Sequence, residues 1–301
     1  MRATCNRVLF QKVWRILPAL LLACFLQDLL AQPVQLEVFP NAGPTIERIQ
    51  SASAIRIGMQ NNYQPFHIAN PVEGYPGLDV EIAKALADAF GVELVLQYGT
   101  IGELTQMVQA GTVDLALGGV SARIDRARYV SFSVPYLITT PAALVSRRAI
   151  PRESQSDDFQ RREYRNLGDL RFLSRQNIGV KAETSNEVLL RRNPIFRRHN
   201  ILVYETRDQL LAALQEGDID VLVADGVYIK ALVLQHRELL SDHLALTEIF
   251  REEHLSILLP RGDSDFESFV NFVLRELRRT GRLQTIEDRY LNAADWVPEE
   301  S

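Results

Sequence analysis

Cysteine is nearly missing from this chain. Its only two, Cys5 and Cys24, fall within the first 24 of 301 residues. No disulfide framework and no cysteine-rich metal site is therefore possible in the main body. Positive charge is also in deficit: 33 Lys and Arg against 38 Asp and Glu leave a net charge of −5 and a pI near 5.7. That balance argues against a surface built to hold nucleic acid electrostatically. The five histidines are scattered, and no HExxH, Ser-His-Asp grammar or phosphate-cradling loop appears. What is present is core material: 47% of the residues are apolar, and the length suits two domains of ordinary size.

The start of the chain reads as an export signal. Arg2, Arg7, Lys12 and Arg15 precede the apolar run Ile16–Leu26, which is short for a transmembrane helix. Cleavage is expected near Ala31, which places the product in the periplasm. The alternatives are lipid anchoring at Cys24, after the string Leu21-Leu22-Ala23, and an uncleaved anchor. Residues 32–53, with Pro33, Pro40, Gly43 and Pro44 and no periodicity, read as a linker.

The stretch Glu103–Arg126 organises the rest. Leu104, Met107 and Val108 share one helical face, Gly111 stands where a left-handed helix end belongs, and Val113–Leu117 is a short buried strand. The chain leaves that strand through Gly118, Gly119 and Ser121 and presents Arg126, at the end of the strand where open α/β sheets bind ligands. The same grammar returns 106 residues later: Leu104, Gln109, Gly111 and Asp114 match Leu210, Gln215, Gly217 and Asp220, and the second copy ends in Asp225 where the first has Gly119. Helix-glycine-strand units recur in any α/β protein, so the match alone is weak evidence of duplication; the alternative expectation is two similar units that aim strand ends at a shared cleft, one with a cation and one with an anion. Around them, alternating strand and helix patterns predict parallel pairing with right-handed crossovers. Ile55–Met59 and Glu93–Tyr98 read as strands and Leu78–Phe90 as a helix. Ile178–Val180 opens a second series, and Phe266–Arg279 is an amphipathic helix ahead of a last one ending near Tyr290. Ile150–Arg165, charged and patternless, reads as an exposed loop.

Six motifs in order resemble the extracellular solute-binding proteins of family 3, the amino-acid-binding components of ABC importers. They are RIGMQNNYQPF, GLDVEIAKALA, AGTVDLALGGVSARIDRARYVSFSVPY, NLGDLRFLSRQNIGVKAETSNE, GDIDVLVADGVY and the returning LLPRGDSDFESFVNFVLRELRRTGRLQTIEDRYL. The resemblance runs from about Ala54 to Asn292. It implies an α/β, two-lobed periplasmic-binding-protein fold (type II). Each lobe is then a mostly parallel sheet flanked by helices, joined to the other by two hinge strands. Lobe one would span residues 54–140 and 252–292, lobe two 141–251, with 293–301 a tail. It implies capture of a small amino-acid-like ligand by a monomer that delivers it to an ABC permease in the inner membrane, without cofactor or metal.

The resemblance also implies roles for particular residues. Arg126 matches the arginine that grips the ligand's α-carboxylate with its planar fork. Asp225 matches the acceptor of the α-ammonium, and equally suits an N-cap for the next helix. Tyr63 and Phe66 would wall the ligand side chain, with Ile101 opposite. Ser121 and the Gly119 N–H would donate to the carboxylate, and Thr184 and Ser185 would form an anion-favouring helix start. Three positions depart from the pattern: Glu183 replaces a usual glycine, Gln60 an acid found in binders of basic amino acids, and Gly118–Gly119 polar residues. An enzymatic alternative exists, because a dehydratase branch shares this fold. Its acid is expected three positions after Asp225, where this chain has Tyr228. A ligand-sensing module serving a separate receptor is the third reading.

Overall fold

The computed structural model describes residues 43–151 and 163–298. The export signal, residues 32–42 of the linker, the centre of the charged loop and residues 299–301 lie outside the described residues. The elements in chain order begin with α1 (Pro44–Ala52), β1 (Ala54–Met59), α2 (Leu78–Phe90), β2 (Glu93–Tyr98), α3 (Ile101–Ala110) and β3 (Leu115–Ala116). Next come β4 (Ser131–Phe132), β5 (Leu137–Thr139), β6 (Pro141–Ser146), β7 (Asn177–Lys181), α4 (Ser185–Arg192), β8 (Asn200–Tyr204), α5 (Arg207–Glu216) and β9 (Val221–Asp225). The chain closes with α6 (Gly226–Gln235), α7 (Leu239–Asp242), β10 (His243–Leu246), β11 (Glu253–Leu255), β12 (Leu258–Leu259), α8 (Ser264–Arg279) and α9 (Arg282–Leu291).

Two five-stranded sheets result, ordered β2-β1-β3-β12-β4 and β10-β6-β9-β7-β8. The α/β alternation yields parallel pairs where a helix forms the crossover: β1 with β2 and β3, and β7 with β8 and β9. Both sheets are nonetheless mixed rather than mostly parallel, because β12, β6 and β10 join antiparallel. These are the strands that enter from, or lead to, the crossing between sheets. That crossing is a two-stranded ribbon in which β5 pairs antiparallel with β11. The chain leaves the first sheet through β5 and returns through β11. The apolar run His254–Pro260 reads as a strand in the sequence but is split between β11 and β12, because the chain changes partners inside it. Ser256 donates its N–H to Val120 at 3.0 Å, and Ile257 donates to the Ser133 hydroxyl at 2.9 Å.

The duplicated grammar has a structural basis. Helices α3 and α5 each begin with a reciprocal cap, Thr100 with Glu103 and Thr206 with Gln209, and end in a left-handed glycine, Gly111 and Gly217. Asp114 then accepts the Arg56 N–H of β1 at 2.7 Å, and Asp220 accepts the Asn177 N–H of β7 at 2.8 Å. Each aspartate ties the start of its strand to the parallel neighbour.

Two sequence expectations need correction. Residues 44–52, read as linker, form α1: Pro44 occupies the first turn, where its missing N–H costs nothing, and Ile49 is fully buried with Ile46 packed beside it. One helical turn and a half of apolar spacing among prolines is too short to register as periodic. The tail is also anchored, because Trp296 is fully buried and its indole N–H donates to the Tyr290 carbonyl at 3.1 Å. A tryptophan side chain buries enough apolar area to hold a chain end without a regular element.

Candidate functional site

A small cavity lies where strand ends of both sheets converge. On the first-sheet side it is lined by Tyr63, Ile101, Gly119, Ser121 and Arg126; on the second-sheet side by Thr184, Ser185, Asn186, Arg207, Ala224 and Asp225. Its volume is about 30 Å³, room for no more than about two waters. An amino acid enters only if the two walls separate.

Arg126 and Asp225 each make a contact that joins those walls. The Arg126 guanidinium donates to the Ser121 carbonyl on its own side at 3.1 Å and to the Glu183 carbonyl on the opposite side at 3.0 Å. Burial, followed by the nearby Arg123 charge, pushes its pKa down to about 10, so it stays protonated at neutral pH. Two bonds leave three of its five N–H donors uncommitted among the described contacts. Across the cavity, Asp225 Oδ1 accepts the Tyr228 N–H at 2.9 Å, capping α6, while Oδ2 accepts the Tyr63 hydroxyl proton. Burial raises the Asp225 pKa, opposed by the Tyr63 hydrogen bond. Capping and cleft exposure therefore coexist at Asp225, one oxygen serving each.

Four expectations shift in detail. Phe66 does not line the cavity. It is fully buried behind Tyr63, ring centroids 4.8 Å apart, and beneath Gly119, so it supports the wall rather than forming it. The Gly119 N–H is already committed, donating to the Asp79 carboxylate at 3.0 Å. Its φ of +60° and the Phe66 and Tyr63 rings, 2.9 and 3.0 Å from where a Cβ would stand, explain why this position carries no side chain. The Ser121 and Ser185 hydroxyls both donate to one oxygen of Glu253, at 3.1 and 2.8 Å, rather than into the cavity. Thr184 spends its hydroxyl on capping α4: it accepts the Glu187 N–H at 3.2 Å and donates to the Lys181 carbonyl at 2.8 Å.

Three residues escaped the sequence reading. Glu253 sits on the crossing strand β11, 6% exposed, paired with Arg251 at 2.7 Å and held by a serine from each side of the cleft. Nothing in its sequence neighbourhood of mixed charges singles it out. Asn186, 4% exposed, brings a buried Oδ1 that has no hydrogen bond. Arg207 stacks on Tyr63, its Cζ 3.3 Å from the ring centroid, and stands 5.7 Å from that of Tyr228. The internal repeat holds a signal that could have found Arg207: 106 residues separate it from Ile101, and both are the first residue of their helix, α5 and α3. Among the described residues, no group of three His, Cys, Asp or Glu side chains is placed to hold a metal ion.

Known proteins are similar to this chain in sequence and fold. Cyclohexadienyl dehydratase of Pseudomonas aeruginosa is 26% identical over 248 residues, covering 82% of this chain and 85% of that protein. The L-cystine-binding protein TcyJ of Escherichia coli is 24% identical over 249 residues, covering 82% and 86%. A solved structure of a mutant arginine-binding protein from T. maritima superposes with a TM-score of 0.67 at 22% identity, covering 83% of this chain and all of that one. The fold is the two-lobed α/β fold of the type II periplasmic amino-acid-binding proteins. The profile of the bacterial extracellular solute-binding proteins, family 3, matches residues 55–293, and the chain belongs to that family.

Proposed function

We propose that the protein captures an amino acid or close analogue outside the cytoplasm by closing two lobes over it, and hands it to an ABC-type importer. One observation carries this reading: Arg126 from the first-sheet side and Asp225 from the second open onto the same cavity. A zwitterion has one group for each. Its α-carboxylate takes the uncommitted Arg126 donors, and its α-ammonium displaces the Tyr63 hydroxyl from Asp225 Oδ2. Only the closed form satisfies both ends, so ligand binding shifts the population toward closure. The hinge is the β5–β11 ribbon, with lobe boundaries near residues 140 and 252. Glu253, gripped by Ser121 and Ser185 across the cleft, adds a latch to the closed form.

A thermal-shift screen of the purified protein against the amino acids tests the reading. A ligand at 100 times its Kd adds about 2.7 kcal/mol of stability. A melting temperature unmoved by every amino acid at millimolar concentration would reject it.

The similarity to a cyclohexadienyl dehydratase supports a second reading, an enzyme on the same scaffold. Against it stands Tyr228, at the position where that branch is expected to carry an acid. Burial pushes its hydroxyl up to about 12, far from the pKa of an effective proton donor at neutral pH. Incubation with prephenate or arogenate, followed by absorbance of the aromatic product, separates the readings, since turnover would favour the enzyme.

A further inference from the structure

The amino-acid reading assigns partners to a carboxylate and an ammonium but gives no ligand contact to one cation in the cavity wall, whose charge also eases the ionisation of Asp225. Arg207 projects from the first position of α5, partly buried, with its guanidinium over the Tyr63 ring. Among the described residues it forms no ion pair. The family resemblance puts Tyr63 against the ligand side chain, and Arg207 covers one face of that buried ring. A guanidinium so placed repels a cationic side chain and denies it the aromatic face, while retaining donors for an anion.

Its position also fits the path of a side chain. Arg207 lines the inner cavity and, beyond it, an outer groove of about 440 Å³; Ile101 and Thr184 border both. A ligand with its α-groups between Arg126 and Asp225 therefore extends past Arg207. Lys181 adds a second partly buried cation to the groove, its amine donating to the Ala182 carbonyl at 3.2 Å. The groove's carboxylates, Glu103, Glu183, Glu205 and Asp208, are exposed at its rim, where solvent and salt screen them. The Glu103 carboxylate is further occupied by the Thr100 N–H at 2.7 Å.

Resting on the proposed amino-acid site, we infer that Arg207 is a specificity-determining residue and that the ligand carries a second, anionic group on its side chain. The chemical class is an acidic amino acid or a dicarboxylate analogue of one.

Calorimetry with L-glutamate and L-aspartate, their neutral amides L-glutamine and L-asparagine, and L-arginine and L-lysine tests this in wild type and in Arg207→Met. The expected result is that an acid binds about ten- to a hundredfold tighter than its amide, the range of one charge-assisted hydrogen bond. The basic amino acids should bind weakest, and Arg207→Met should shrink the gap between acid and amide to within threefold. Tighter binding of an amide or a basic amino acid, or an acid preference that survives in Arg207→Met, would overturn the inference while leaving the amino-acid site standing. Absence of binding by all six, and by the other amino acids in the thermal screen, would overturn both.

Discussion

Asp79 gives the most quantitative check on the architecture beneath the site. The residue is fully buried at the start of α2, and its carboxylate accepts the N–H of Gly119 in the cavity floor. Burial raises its pKa from 3.8 to about 7, opposed by the neighbouring Tyr136 hydroxyl and the Gly118 and Gly119 amides. In the unfolded chain the group ionises near pH 4, while in the folded protein it holds its proton until about pH 7. Between those values the folded state binds more protons, so stability falls as pH rises. The cost is about 1 kcal/mol at pH 4.5 and levels off at about 4 kcal/mol above pH 7. Asp79→Asn keeps an acceptor for Gly119 and cannot ionise. The stability of the variant relative to wild type should therefore rise by about 3 kcal/mol between pH 4.5 and pH 7.5. Urea unfolding of both proteins at several pH values measures it, and taking the difference cancels the titration of every other group. A difference that stays flat across this window, or that shrinks with rising pH, would refute the assigned burial of a protonated carboxyl.

Two further outcomes follow from the cleft. Glu183 holds a φ of +62°, a left-handed conformation that glycine adopts at less cost, and its hydrogen bonds to Arg126 and Glu187 are made by its backbone, the carboxylate adding only a minor charge effect on Arg126. Glu183→Gly should thus stabilise the protein by up to about 1 kcal/mol, a rise in melting temperature of about 2–4 °C; an unchanged or lower value would contradict the strain. Asparagine caps helices about as well as aspartate, so Asp225→Asn should leave thermal stability nearly intact while weakening amino-acid binding about ten- to a hundredfold. Unchanged affinity by calorimetry would remove Asp225 from the ammonium site.

Much of this fold is legible in the chain because its helices are punctuated. Gly91, Gly111 and Gly217 end α2, α3 and α5 as their spacing predicts, and the reciprocal caps at Thr100 and Thr206 begin two of them. Elements without such marks were missed. The edge strand β10 has no turn signal, and α1 and Trp296 are fixed by what they bury rather than by local pattern. The same distinction runs through the site. The positions of Arg126 and Asp225 at the cavity are legible because one lies in the loop after β3 and the other is the last residue of β9, both recognisable apolar strands. Which of two nearby aromatics faces the cavity is not, since Tyr63 and Phe66 differ only in depth. Glu253 acquires its role from two serines 132 and 68 residues away along the chain, a distance no local pattern spans.

The central claim is that a dipolar guest is held between Arg126 and Asp225. The most direct measurement is calorimetry of Arg126→Ala against the amino acid that most stabilises the wild type. Leaving a buried carboxylate without its partner costs about 3–5 kcal/mol. The account predicts weakening by at least about two orders of magnitude, in a variant that still unfolds cooperatively. An affinity within threefold of wild type would contradict it.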